Sequence, residues 1–251
     1  MGTRNAPALM NLAWQNKFMW DGAINHLDMQ PLAPITNKDE MDSNIDSVVI
    51  KLNRSKLYRG LFFNAYGDSL ATGEHTLKAI AQFMLSIVSS NSKYDSVQRG
   101  HSSFTLQEEN GYRLFRDNCS SCHTEPFFTN FSFENNGLPL DTALHDTGRM
   151  KITNDPNDSL KFKVPSLRNI EFSYPYMHDG RFKHLSEVLK HYTEGVEKSK
   201  TLSPRLQKPI VLSSNEKVDL TAFLLTLTDK TFLFDLRYSY PRKIFFKTTA
   251  R

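Results

Sequence analysis

The sequence predicts a mainly α protein in two segments, 1–100 and 101–251, and three observations carry that expectation. Leu77, Ile80, Ala81, Met84, Leu85 and Val88 recur at the spacing of one buried helical face. Thr105 stands three residues before Glu108, the pattern of a capping box that opens a helix. Ser213 or Ser214 caps a last long helix with Glu216 behind it, and Leu220, Phe223, Leu224 and Leu227 form its apolar face. No internal repeat is visible.

Taken in chain order, residues 1–38 are dense in Asn, Pro and Gly and lack clean periodicity, which predicts loops with short helical turns. Residues 42–54 and 56–65 read as two short helices, the first capped by Asp42 or Ser43. Thr72 precedes the helix of the Leu77 stripe. That helix dissolves into a polar run, Ser89-Ser90-Asn91-Ser92 and on to about Ser103, which sets the boundary between segments. The Thr105 helix runs to Asn118. Residues 124–165 read as a long irregular connection, and a connection of that length usually wraps something. Residues 185–193 form another short helix.

Composition narrows the function. Hydrophobic residues at 39% and charged residues at 23% suit a globular chain and exclude collagen-like or disordered classes. The net charge of +4 is small and spread along the chain, so no nucleic-acid partner is expected. Two cysteines in 251 residues exclude a disulfide scaffold. The longest apolar run, Ala79 to Val88, is broken by Gln82 and Ser86, far short of the ~20 residues a bilayer requires. The first ten residues hold one positive charge and no apolar core, so they do not read as a secretory leader.

Both cysteines lie in Cys119-Ser120-Ser121-Cys122-His123. A zinc knuckle needs further Cys or His ligands, and a thioredoxin-like pair follows a strand, whereas this pair follows a helix. The third reading is c-type haem, with two thioether bonds and an adjacent histidine on the iron, and the motif favours it. Gly111, Phe115 and Cys119 are spaced by four and share one helical stripe, where a glycine lets another helix cross closely. Phe223 and Leu224 supply the crossing face, as in cytochrome c domains. Candidates for the opposite face of the iron are Met150, Met177, His178, His191 and Tyr192. Leu185, Val188, Leu189 and Tyr192 make one apolar stripe, while His184, Glu187, His191 and Glu194 make a polar one. A helix packed over the haem therefore points Tyr192 inward and His191 to solvent, although Tyr192 is equally well explained as an amphipathic core residue.

The chain resembles the bacterial di-haem cytochrome c peroxidases and their MauG-like relatives. The matching segments are Thr3-Arg4-Asn5-Ala6-Pro7, Met19-Trp20-Asp21-Gly22, Pro34-Ile35 with Glu40-Met41, the Cys-Ser-Ser-Cys-His motif, Phe162-Lys163-Val164-Pro165-Ser166-Leu167-Arg168-Asn169 and Tyr174-Pro175-Tyr176-Met177-His178-Asp179-Gly180. They span nearly the whole chain in the expected order. The resemblance implies a cytochrome c-type haem domain plus the remnant of a second cytochrome c-like domain. It makes His123 the proximal ligand of an electron-accepting haem c, and Tyr192 the distal one, a position that is Met in the peroxidases and Tyr in MauG-like proteins. An oxygen donor there favours ferric iron.

The same resemblance places Trp20 between two haems as an electron relay, Glu40 in the peroxide pocket as acid/base, and Gln30 and Pro34 along that pocket. It gives Asn5, with backbone carbonyls around Lys163 and Pro165, a Ca²⁺. From the residues alone Trp20 is core, Glu40 a solvated carboxylate in a helix first turn, and Asn5 a turn residue. The family's N-terminal haem motif should precede Thr3 and is absent from the chain, which therefore reads as N-terminally truncated, its leader lost with the first haem segment. The resulting expectation is the larger part of a periplasmic enzyme that reduces hydrogen peroxide, fed by a small cytochrome or a copper protein, and able to pair as a homodimer. The alternatives are a mono-haem electron carrier and a MauG-like enzyme that oxidises a partner protein.

Overall fold

The computed structural model describes residues 2–241, so the final ten residues of the second segment lie outside the described residues. The first segment begins irregularly, with 3-10 turns at Leu12–Trp14 and Leu27–Met29. Four helices follow: α1 (Leu32–Thr36), α2 (Ile45–Arg54), α3 (Lys56–Tyr66) and α4 (Gly73–Ser86). The cap of α2 is Asn44, whose Oδ1 accepts the Ser47 N–H at 2.8 Å, rather than Asp42 or Ser43. Asp42 sits in left-handed backbone at φ 43°, and the Ser43 N–H is already donated to the Ile35 carbonyl.

Thr72 caps α4 as its hydroxyl chemistry predicts. The buried stripe of α4 is shorter than expected. Ala81 and Met84 are buried against Leu12 and Phe18, but Leu85 is 40% exposed and Val88 lies beyond the helix. Once the chain leaves α4 at Ser86 the helical phase no longer applies, and Ile87 is the residue that turns inward.

The polar run after α4 is more ordered than its composition indicates. Ser92 and Asp95 form a capping box for α5 (Lys93–Gln98), and Asp95 is held in a two-bond ion pair by Arg168. Tyr94 of α5 is buried in a second core with Phe115, Phe128, Ile170, Leu189, Leu220 and Phe223.

That second core is built on two helices. Helix α6 (Leu106–Asn118) has the Thr105–Glu108 capping box. The connection from 124 to 165 contains β1 (Phe133–Glu134), α7 (Met150–Thr153), a 3-10 turn at Pro156–Asp158 and β2 (Phe162–Lys163), with β1 and β2 paired antiparallel. Helix α8 (Leu185–Lys190) runs into a π-helical turn at His191–Gly195. Ser213 and Glu216 cap α9 (Ser214–Leu225), and α10 (Lys230–Leu233) closes the described chain with a last 3-10 turn. Among the described residues no helix is long and apolar enough to cross a membrane.

Helices α6 and α9 cross at Gly111. A Cβ there would collide with the Asp219 carbonyl and stand 2.8 Å from the Phe223 Cβ, so only glycine permits this approach. Gly111→Ala is therefore expected to destabilise the protein by about 2 kcal/mol, even though alanine is the better helix former by about 1 kcal/mol. Urea denaturation measures this, and a more stable variant contradicts the contact.

Candidate functional site

The site begins where α6 ends. Cys119 is its C-terminal cap, donating its N–H to the Phe115 carbonyl at 2.8 Å. The Cys122 and His123 N–H groups both donate back to the Cys119 carbonyl, at 3.1 and 2.9 Å. The motif is thus one further turn that brings both sulfurs and the imidazole to a single cavity. His123 Nδ1 lies 3.0 Å from the Phe128 carbonyl; in the tautomer that donates this bond, Nε2 keeps its lone pair for a metal. Burial pushes the imidazole below its usual range and so keeps it neutral, against the opposing pull of the Phe128 and Pro165 carbonyls.

Leu167, Ile170, Leu185, Val188, Leu189, Leu220 and Leu224 give the cavity apolar walls, and the irregular connection closes one side with Phe162 and Val164. Tyr192 faces the same space from the π-helical turn. Burial, reinforced by Cys119 and Cys122 across the cavity, pushes its phenol up to about 12.

The cysteines are free, and their chemistry separates the three readings of the motif. Burial pushes the Cys119 thiol up to about 12 and raises Cys122 as well. A redox dithiol needs a lowered pKa and an accessible thiolate, and here the environment does the reverse. Among the described residues no group of three or more His, Cys, Asp or Glu could hold a metal ion, which removes the zinc knuckle. Two protonated thiols and a neutral histidine at the wall of a dry apolar cavity fit a porphyrin.

Of the other candidate ligands, Met177 and His178 reach the cavity wall, whereas Met150 and His191 do not. His178 stacks on Phe162 at 3.6 Å and burial takes it down to about 4. His191, expected in solvent, is buried, and its Nε2 contacts the Asn136 carbonyl at 3.0 Å. The π-helical turn explains the change: its wider loop breaks the phase of the α8 stripe after Lys190 and rotates His191 inward. Asn136 had no signal in the sequence, yet it is the hub of this wall. It receives His191, hydrogen-bonds the Tyr192 side chain and donates from Nδ2 to Met177 Sδ at 3.5 Å.

Trp20, Lys163 and Pro165 also line the cavity. The indole N–H of Trp20 donates to the Asn5 carbonyl at 2.8 Å, and the Trp20 carbonyl accepts from the Lys163 N–H at 2.7 Å. Asn5 itself donates from its backbone to the His178 carbonyl and from Nδ2 to the Pro175 carbonyl. Burial brings the Lys163 ammonium down to about 8, with Gln15 Oε1 as its partner. Glu40, Gln30 and Pro34 stand apart, and none of the three lines the cavity. Glu40 is exposed in the turn after α1, not in a helix, and accepts from Asn37 Nδ2 at 2.7 Å. Gln30 is buried and Pro34 half-buried within α1.

Arg4 anchors this strap, a role not read from its motif. It binds Asp146 through Nε and Nη2 and Asp21 through Nη1. Arg4 and backbone bonds hold the Asp146 carboxyl far below its usual range.

These features define a class: a helical protein whose Cys-x-x-Cys-His motif opens onto an apolar cavity. A family model described as di-haem cytochrome c peroxidase matches residues 1–103. The methylamine utilization protein MauG of Methylorubrum extorquens is 38% identical over 89% of this chain and 64% of its own length. MauG of Methylophilus methylotrophus is 35% identical over 89% of this chain and 68% of its own. The cytochrome c551 peroxidase of Nitrosomonas europaea is 33% identical over 90% and 66%. The chain therefore spans about two thirds of the length of these relatives. A crystal structure of a MauG-like protein associated with microbial copper homeostasis superimposes with a TM-score of 0.85 at 29% identity, over 96% of this chain and 79% of that one. A di-haem peroxidase from Burkholderia thailandensis, at 21% identity and a TM-score of 0.75, shares the fold. The chain belongs to the MauG-like di-haem cytochrome c peroxidase family.

Asp146→Asn is expected to remove the ion pair beside the cavity at a cost of about 2–3 kcal/mol, less than a fully buried pair because Arg4 is partly exposed. The wild-type contribution is present above the unfolded carboxyl pKa of about 4 and is lost as pH falls below it. Acid denaturation should thus separate wild type and variant least at low pH and most near neutrality.

Proposed function

We propose that Cys119, Cys122 and His123, with Tyr192 as a further iron ligand, would hold one haem c, and that this haem would receive electrons for a di-haem peroxidase that reduces hydrogen peroxide to water. The observation that carries this is the convergence of the two sulfurs, the imidazole and the phenol on one apolar cavity edged by Trp20. Haem c in that cavity supplies a one-electron couple and the route to peroxide chemistry in this family. The cytochrome c-like units are residues 1–100, the remainder of a peroxidatic domain, and 101–251, the haem domain.

Each residue then has a task. His123 gives its Nε2 lone pair while the Phe128 carbonyl fixes its ring. Tyr192 must lose a proton to bind iron, which its raised pKa opposes until a metal cation is present. Trp20, pinned by its bond to Asn5, offers an indole at the cavity edge for electrons passing toward the first segment. Glu40, on the exposed turn after α1, moves a proton between the two peroxide oxygens so that water leaves rather than hydroxide. Gln30 and Pro34 back that turn. The two-electron balance is H₂O₂ + 2e⁻ + 2H⁺ → 2H₂O. Asn5, with backbone carbonyls around Lys163 and Pro165, would supply the oxygen ligands of a Ca²⁺. The protein would work in the periplasm, where haem attachment occurs. A second reading, oxidation of a partner protein, is favoured by Tyr192 and by the two MauG relatives.

Expression in a host equipped for cytochrome maturation should yield a coloured protein with one haem per chain by pyridine haemochrome assay. A colourless product with two free thiols refutes the assignment. Tyr192→Met should raise the reduction potential and alter the visible spectrum, because thioether sulfur favours ferrous iron; an unchanged potential and spectrum take Tyr192 off the iron. In haem-loaded protein that turns over peroxide, Glu40→Gln should cost about 10²–10⁴-fold in that turnover at unchanged haem content.

A further inference from the structure

The expected even spread of positive charge fails beside the cavity, as it does in residues 47–67, whose Lys51, Arg54, Lys56 and Arg59 line no part of that cavity. Residues 198–212 carry four cations, Lys198, Lys200, Arg205 and Lys208, and no carboxylate. All four are exposed, and among the described residues none of them makes an ion pair. The loop forms the rim of the haem cavity. Arg205, Leu206, Ile210 and Leu212 line it, and Arg205 is near enough to the Cys122 sulfur to act on it electrostatically.

The loop is a built surface. Its base is fixed by the buried Leu202, by the Ser203 N–H to the Asn135 carbonyl at 3.0 Å and by Thr201 Oγ1 to the Ser159 carbonyl at 2.7 Å. Pro204 opens a 3-10 turn, and Pro209 stiffens the return. Val211, between the cavity-lining Ile210 and Leu212 in the sequence, is 86% exposed, so the basic loop also presents an apolar residue to solvent. The nearby carboxylates of Glu194 and Glu216 are engaged by Lys217 and by the Ser213 cap, leaving Glu134 and Glu197 as the neighbouring acidic groups.

We propose that loop 198–212 is the docking surface for a small soluble electron-transfer protein whose own redox edge is apolar and ringed by acidic residues. The inference rests on the reading that the cavity holds an electron-exchanging haem. A redox partner must approach the cofactor edge, associate weakly and leave quickly, with a contact below about 1,200 Å². Opposite charge around a small apolar contact provides that, since it raises the encounter rate without a large buried interface. A lysine-rich partner would meet like charge at the rim.

The test uses haem-loaded protein reduced with dithionite and mixed by stopped flow with an oxidised acidic blue-copper protein or an oxidised lysine-rich cytochrome c. Electron transfer to the acidic protein should be the faster and should slow at least about tenfold as salt rises from ~10 mM to ~500 mM, because screening shortens the field. The triple variant K198E/K200E/K208E should invert the order of the two partners while its oxidation by neutral benzoquinone stays at the wild-type rate. Salt-independent rates, or an unchanged order of partners in the variant, overturn the docking surface alone. A protein without haem overturns the haem reading and this inference with it.

Discussion

The crossing of α6 over α9 is the constraint on which the site depends. Gly111 lets the two backbones approach to a distance no side chain allows, and Phe115 and Phe223 fill the space beside it. Because Gly111, Phe115 and Cys119 share one face of α6, the contact that seats Gly111 also decides where the helix delivers its last turn. The sulfurs and His123 follow within five residues of that end. A shift in the crossing would move the whole attachment motif relative to Tyr192, whose own position is set by the packing of α8 against the same core.

A second constraint is polar and joins the early residues to the cavity. Arg4, Asp21 and Asp146 form one ionic cluster, and Asn5, Trp20 and Lys163 form a chain of hydrogen bonds beside it. Residues 87–91 are tied from both directions. Asn11 bonds to the Ile87 and Ser89 backbone on one side, and the Asp229 carboxylate accepts the Ser90 and Asn91 N–H groups on the other. Trp20 itself is held at the cavity edge by Asn5 and Lys163, residues far apart in the sequence.

Burial dominates the electrostatics of the interior. The thiols, His123, His178 and Tyr192 are all pushed toward their neutral forms, so the cavity wall carries little charge of its own. Its rim is the opposite, bearing Arg205 and neighbouring lysines in water. The interior is thus low in dielectric and the mouth is charged.

The sequence by itself determined what is local. Thr72, Thr105 and Ser213 opened their helices because a cap needs only its own hydroxyl and the next turn of backbone. The Cys-x-x-Cys-His spacing and the Gly111 stripe were equally legible, since each is a single helical periodicity. Tertiary structure decided the rest. Asn44, not Asp42 or Ser43, caps because the helix starts at Ile45, which puts Asn44 in extended backbone with its Oδ1 on the Ser47 N–H. His191 turned inward because a π-helical turn and a carbonyl 55 residues away outweighed its stripe. Asn136 and Arg4 carried no periodic signal, for their partners lie in other segments of the chain. Such contacts form only when the chain has closed on itself, and no window of sequence contains both ends.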